Sequence, residues 1–164
     1  MTDDPDPPLL VLGWEEWVAL PGLGLPAVKA KIDTGARTSA LHASQIELRG
    51  EGARKTVRFV IHPSPRRRDI AIICEAPVLA TRDVTSSNGE REHRPVIETT
   101  IAIAGRQWTI EVTLTNRETM SYRMLIGRQA LRGGVLVDPG ASFRQGRLGY
   151  RLYGVKRKNR RRTP

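Results

Sequence analysis

Cysteine is nearly absent: Cys74 is the single copy in 164 residues. One thiol excludes an internal disulfide, and a reducing cytoplasm is the expected compartment. No apolar run approaches the ~20 residues that a spanning helix needs. The acidic, proline-rich start MTDDPDPP is unlike a signal or transit peptide. No membrane association is therefore expected. Aromatic residues make up only 5% of the chain, and none interleave with its arginine runs. That argues against a base-stacking platform for RNA, and leaves Trp14 and Trp17 as packing residues. The phosphate loop G-x-x-x-x-G-K-[ST] is missing, as are H-E-x-x-H, C-x-x-C and G-x-S-x-G. The three histidines (42, 62 and 93) are far apart, and Cys74 sits inside an apolar run that suits a buried, inert thiol. No cofactor and no metal are expected from these residues.

What is abundant is positive charge. The 27 basic residues against 17 acidic ones give a net charge of +10, and only five of the 27 are lysines. Guanidinium groups match carboxylates and phosphates in a bidentate way. The composition favours polyanionic partners: acidic peptides, RNA, or both. A coding bias towards arginine on a solvated surface would give the same excess.

The chain has the length of a single domain with a real core. Residues 1–8 are expected as a disordered tail and residues 9–153 as the folded unit. Residues 154–164 form a second, basic disordered tail. Strand signals recur at short intervals between Gly/Pro turns. They cover Leu9 to Leu12, Leu25 to Asp33, Ser39 to His42, Gln45 to Leu48 and Thr56 to His62. They continue at Ile70 to Cys74, Val78 to Thr81, Val96 to Ile103, Gln107 to Leu114, Met124 to Ile126 and Val135 to Val137. Val96 to Leu114 is the clearest hairpin. Its apolar positions, Ile97, Ile101 and Ile103 facing Trp108, Ile110, Val112 and Leu114, alternate cleanly. One short helix is expected from Gly127 to Leu131. This pattern predicts an all-β, closed-barrel domain with one short helix.

The chemistry concentrates in KAKIDTGARTSALHA, Lys29 to Ala43. An apolar strand delivers Asp33 into a turn of Thr34, Gly35 and Ala36. Glycine there permits close backbone approach and unusual dihedrals. A bare Asp-Thr-Gly is also an ordinary turn. The run IDTGA, however, resembles the active-site strand and turn of retropepsin-like aspartic proteases. Taken with RPVIETT, LTNRETMSYRMLIGRQAL and LVDPGASF, it resembles a bacterial family commonly called ATP-dependent zinc proteases. Its members are also described as retropepsin-like peptidases linked to glutamate tails on a ribosomal protein. The resemblance covers about Leu12 to Phe143.

That resemblance implies a retropepsin-type (acid protease) barrel with Asp33, Thr34 and Gly35 as the catalytic turn. Ile126, Gly127 and Arg128 would brace it from beneath, and His42 would be a hydrogen-bonding strut. Aspartic proteolysis needs two close carboxylates sharing a proton. The chain has one Asp-Thr-Gly, and Asp138-Pro139-Gly140 is a turn rather than a second copy. The pair therefore requires a C2 homodimer. Thr85 to Arg94, with Ser86 to Gly89 at its tip, is the candidate mobile hairpin over the substrate. Ala36, Arg37, Ser87, Asn88, Arg91, Arg94, Arg117 and Arg123 are candidates to meet an acidic, glutamate-rich tail. Two alternatives stay open. One is a non-catalytic basic module that binds acidic tails or RNA. The other is a zinc peptidase, its metal held by His42, Asp33 and a distant ligand.

Overall fold

The computed structural model describes residues 6–85, 89–116 and 121–155. Eleven strands run through them: β1 (Leu10–Leu12), β2 (Glu15–Leu20), β3 (Leu25–Asp33), β4 (Ser39–His42), β5 (Ser44–Arg49), β6 (Thr56–Ile61), β7 (Ile72–Thr85), β8 (Arg91–Ile103), β9 (Arg106–Thr115), β10 (Met124–Gly127) and β11 (Val135–Val137). The expected short helix is a single 3-10 turn, Arg128–Leu131. Three more such turns, Pro21–Leu23, Gly52–Arg54 and Tyr150–Tyr153, were not foreseen.

The all-β barrel is as expected. Strands β2, β3, β10, β4, β9 and β8 pair in that order, and an Ala19–Ala102 pairing between β2 and β8 closes the ring. Strands β7, β6 and β5 continue outward from β8. Leu20, Leu25, Leu41, Ile97, Ile101, Leu114, Met124 and Ile126 are fully buried inside the ring, and Phe59 and Ile61 extend the same core beneath β6. The two faces alternate as the hydrophobic pattern requires, most visibly on β6, where Val57, Phe59 and Ile61 are buried.

Two expectations for the sheet are corrected. Ile70 to Cys74 and Val78 to Thr81 are not separate strands. From Ile72 onward they belong to one 14-residue strand, β7, whose register shifts between Val78 and Ala80, while Ile70 and Ala71 precede it. A bulge lets one strand serve two partners. Its first part pairs with β6 and its second with β8. The β8 strand also starts at Arg91, earlier than its apolar part suggests. The outer rungs, from Arg82–Arg94 to Thr85–Arg91, lie beyond the reach of both β6 and β9. They form a two-stranded arm projecting from the barrel.

Three parallel pairings join stretches far apart in the chain: β1 with β11, β3 with β10 and β4 with β9. The second of these builds the site.

Candidate active site

The β3 strand ends at Asp33, and β4 leaves from Ser39 after the turn. Strand β10 inserts between them, parallel to β3 with Gly127 beside Asp33, and antiparallel to β4. The turn that joins β3 to β4 must therefore pass over the end of β10, and the residue beneath it has no room for a side chain. A Cβ on Gly127 would lie 2.4 Å from the Thr38 carbonyl oxygen and 2.9 Å from that of Ala36.

Hydrogen bonds stitch the two layers. The Gly127 amide donates to the buried Ser39 hydroxyl at 3.1 Å. The Arg128 amide donates to the Ala36 carbonyl at 2.8 Å, and that of Gln129 to the Arg37 carbonyl at 3.1 Å. The Arg128 guanidinium donates to the Gly35 carbonyl at 3.2 Å. Behind it, the Trp108 indole N–H on β9 donates to the Ala130 carbonyl at 2.9 Å.

The carboxylate of Asp33 is fixed within this frame. Its Oδ1 accepts the amides of Gly35 at 3.1 Å and Ala36 at 3.2 Å, an Asx turn. Oδ2 makes no hydrogen bond among the described residues. Asp33 is half-buried, while Thr34 and Gly35 are exposed. Gly35 does not adopt a left-handed conformation, so unusual dihedrals are not its purpose. A Cβ there would stand 3.3 Å from Asp33 Oδ1, so the glycine provides clearance for the carboxylate.

The other candidates are scattered. Arg37 is exposed and lines a small cleft with Thr38, Arg82 and Gln129. Arg91 is exposed at the end of the arm. Ser87, Asn88 and Arg117 lie outside the described residues, as does most of the hairpin tip. Arg94 is buried, with its guanidinium held by Glu92 at 2.8 Å. Arg123 is buried just ahead of β10, at the opposite end from Asp33. His42 is at that same far end: its amide donates to the Arg123 carbonyl. It is therefore no strut for the turn, because β4 runs away from Asp33. Ser39 holds that position instead. Its sequence signal was weak, a hydroxyl residue in the polar run ARTS.

Among the described residues no three His, Cys, Asp or Glu side chains come together as a metal set. The donors among these described residues do not assemble a zinc site. Burial pushes the Cys74 thiol up to about 11, and the thiol points at the Leu23 carbonyl. A protonated, buried sulfur is a poor nucleophile at neutral pH.

The sequence profile of the RimB-like family, described as "Retropepsin-like aspartic endopeptidase RimB", matches residues 11–147. This chain belongs to the RimB-like family. Curated relatives carry a different name. A "Probable alpha-L-glutamate ligase" of Shewanella pealeana is 47% identical over 150 residues, covering 89% of this chain and 33% of that protein. One of the same name from Parasynechococcus marenigrum is 46% identical over 139 residues, covering 85% of this chain and 30% of that protein. The chain thus spans about a third of the length of these relatives. Among solved structures, the Legionella pneumophila protein Lpg0085, described as of unknown function, superposes with a TM-score of 0.70. It is 28% identical and covers 83% of this chain and 98% of its own. The RimB-like match agrees with the retropepsin resemblance, whereas the zinc-protease wording has no counterpart in these names.

Proposed function

We propose that this RimB-like chain is an aspartic peptidase that works as a homodimer, each protomer contributing Asp33, and that it cleaves acidic, glutamate-rich tails. The observation that carries this reading is the Asp33 carboxylate. It is pinned through Oδ1 by two amides, with Oδ2 left open, on a turn that the barrel holds from beneath. A fixed carboxylate suits acid–base work on a scissile bond because little reorganisation is needed at the moment of reaction.

One such group per chain is half of the machinery. In the dimer the two carboxyl groups share a proton across the two-fold axis. The charged one takes a proton from a water as it attacks the carbonyl carbon. The neutral one donates a hydrogen bond to the carbonyl oxygen, and its proton passes to the leaving nitrogen. Thr34 and Gly35, both exposed, form the edge of the turn that meets the second copy. Ala36 and Arg37 follow on the substrate side, and Arg91 stands on the β7–β8 arm; Ser87 and Asn88 are the further candidates for contact.

Two features support an acidic substrate. The chain's +10 charge attracts one. The relatives' name describes joining of glutamate, and a peptidase unit within such a polypeptide has the product's amide bonds as its nearest target.

The test is cleavage of α-linked oligoglutamate by wild type and Asp33→Asn, followed by mass spectrometry of released glutamate. Asp33→Asn should lose about a thousandfold or more, the scale expected for a single catalytic group, while keeping its melting temperature. Sedimentation should find the active species as a dimer. Retained cleavage by Asp33→Asn, or full activity in a strict monomer, would end this reading. Salt-sensitive binding with no cleavage even by wild type would mark the basic binding module instead.

A further inference from the structure

A second cavity, of about 490 Å³, lies away from the Asp33 turn, between β3, the loop after β6 and the approach to β10. Its described lining holds three cations, Lys29, Arg66 and Arg123, and three hydroxyls, Ser64, Ser121 and Tyr150. No carboxylate lines it among the described residues. The larger cleft beside the turn, about 580 Å³, differs: there Arg82 and Arg132 are accompanied by Glu98 and Glu111, and Arg82 is bonded to Glu111 at 3.1 Å. Of these two, the second has a lining of cations and hydroxyls with no acidic side chain among the described residues.

Two of its cations, Lys29 and Arg123, are held within the fold, and Arg66 is exposed at its edge. Lys29 Nζ sits 5.5 Å from the ring centres of both Trp17 and Phe143. Trp17 in turn meets Tyr150 edge-on at 5.2 Å. Rings hold the ammonium in place without neutralising it. Arg123 is only 5% exposed. Burial raises the Tyr150 pKa, although the Ser64 hydrogen bond and the Arg123 charge act the other way, so its hydroxyl remains a donor at neutral pH. The buried Ser64 side chain is fixed by the Arg67 amide.

The place of this cavity matters as much as its charge. Along β3, Ala30 and Ile32 face the core, whereas Lys29, Lys31 and Asp33 face outward. Alternate strand residues share a face, so the cavity and the Asp33 carboxylate lie on one side of the same strand. Four residues of strand separate them, about 13 Å, and an extended peptide of four residues spans the same distance.

We propose that this cavity is an anion subsite that takes the side-chain carboxylates of an acidic peptide, gripping a glutamate chain about four residues from the Asp33 turn. The assignment rests on the peptidase reading for its substrate but not for its test. Arginine forks and hydroxyl donors suit carboxylates, and the cavity requires a chain long enough to reach both places.

The experiment measures binding of α-linked decaglutamate by calorimetry to the full chain carrying Asp33→Asn, so that no turnover intervenes. Adding Lys29→Gln with Arg66→Gln should weaken Kd about tenfold or more, one charged contact being worth that much. Arg66 is exposed, so Arg66→Gln alone serves should the Lys29 change unsettle the fold. Arg49→Gln with Arg54→Gln, at the end of β5 and in the turn that follows it, lowers the net charge equally and should change Kd by about twofold at most. Equal losses in both pairs, or no loss in either, would overturn the subsite. So would a ten-nucleotide oligouridylate that binds more tightly than decaglutamate and depends on Lys29 and Arg66. A wild type with no peptidase activity, together with Lys29- and Arg66-dependent decaglutamate binding, would sink the catalytic reading and leave this one standing.

Discussion

The layer beneath Asp33 and the arm above the barrel are built on opposite terms. Beneath the turn, β10 is gripped on both sides, Gly127 has no space for a methyl group, and Ser39 is buried against its amide. Among the described residues the outer arm has two strands and no third, and further out than the buried Arg94 its side chains meet in solvent, as Asp83 and His93 do. A two-stranded ribbon has little stability of its own, and exposed pairs contribute little. The rigid part therefore holds the carboxylate, and the part freer to adjust is the two-stranded arm.

That contrast predicts a steep gradient of mutational effects. Gly127→Ala drives a Cβ into backbone carbonyls, which cannot move aside as a side-chain tip can. It should destabilise the fold by about 3 kcal/mol or more, measured by urea unfolding, and a wild-type midpoint would show that the layer is loose. Ser39→Ala removes the acceptor for a buried amide. A loss of about 1–3 kcal/mol is expected, and Ser39→Thr should recover part of it if the hydroxyl is what matters. Asp83→Ala, out on the arm, should stay within about 0.5 kcal/mol of wild type. A larger loss there would erase the distinction between the two regions.

Much of this architecture was readable in advance. The bounds of β3, β4 and β11 follow from apolar runs closed by turn residues. The β8–β9 hairpin follows from alternation on both strands, and its inward positions are the ones predicted. The two halves of β7 read as separate because Pro77 and the register shift interrupt the pattern at the place where the strand changes partners. The arm's share of β8 was missed because its outermost positions bury little, leaving no periodic apolar face to detect.

The site was legible as a turn but not as an assembly. Asp33, Gly35 and Gly127 could be named, yet the parallel register that sets Gly127 beside Asp33 joins residues far apart in the chain. Without that register, Ser39 is one more polar loop residue, and His42 looks near the turn when β4 has carried it to the other end. Arg94 and Arg123 carry the same charge as Arg37 and Arg91, but burial separates the pairs, and no local pattern encodes that.

The pairing of β3 with β10 also sets a schedule for biosynthesis. At ~5–20 residues per second, Gly127 leaves the peptidyl-transferase centre on the order of 5–20 s after Asp33. Through that interval β3 and β4 lack the strand that belongs between them, and β1 still awaits β11. The nascent chain must wait with its barrel open. The carboxylate gains its support only when the last strands arrive, so a ribosome-bound fragment ending before β10 holds the Asp-Thr-Gly sequence without the structure that fixes it.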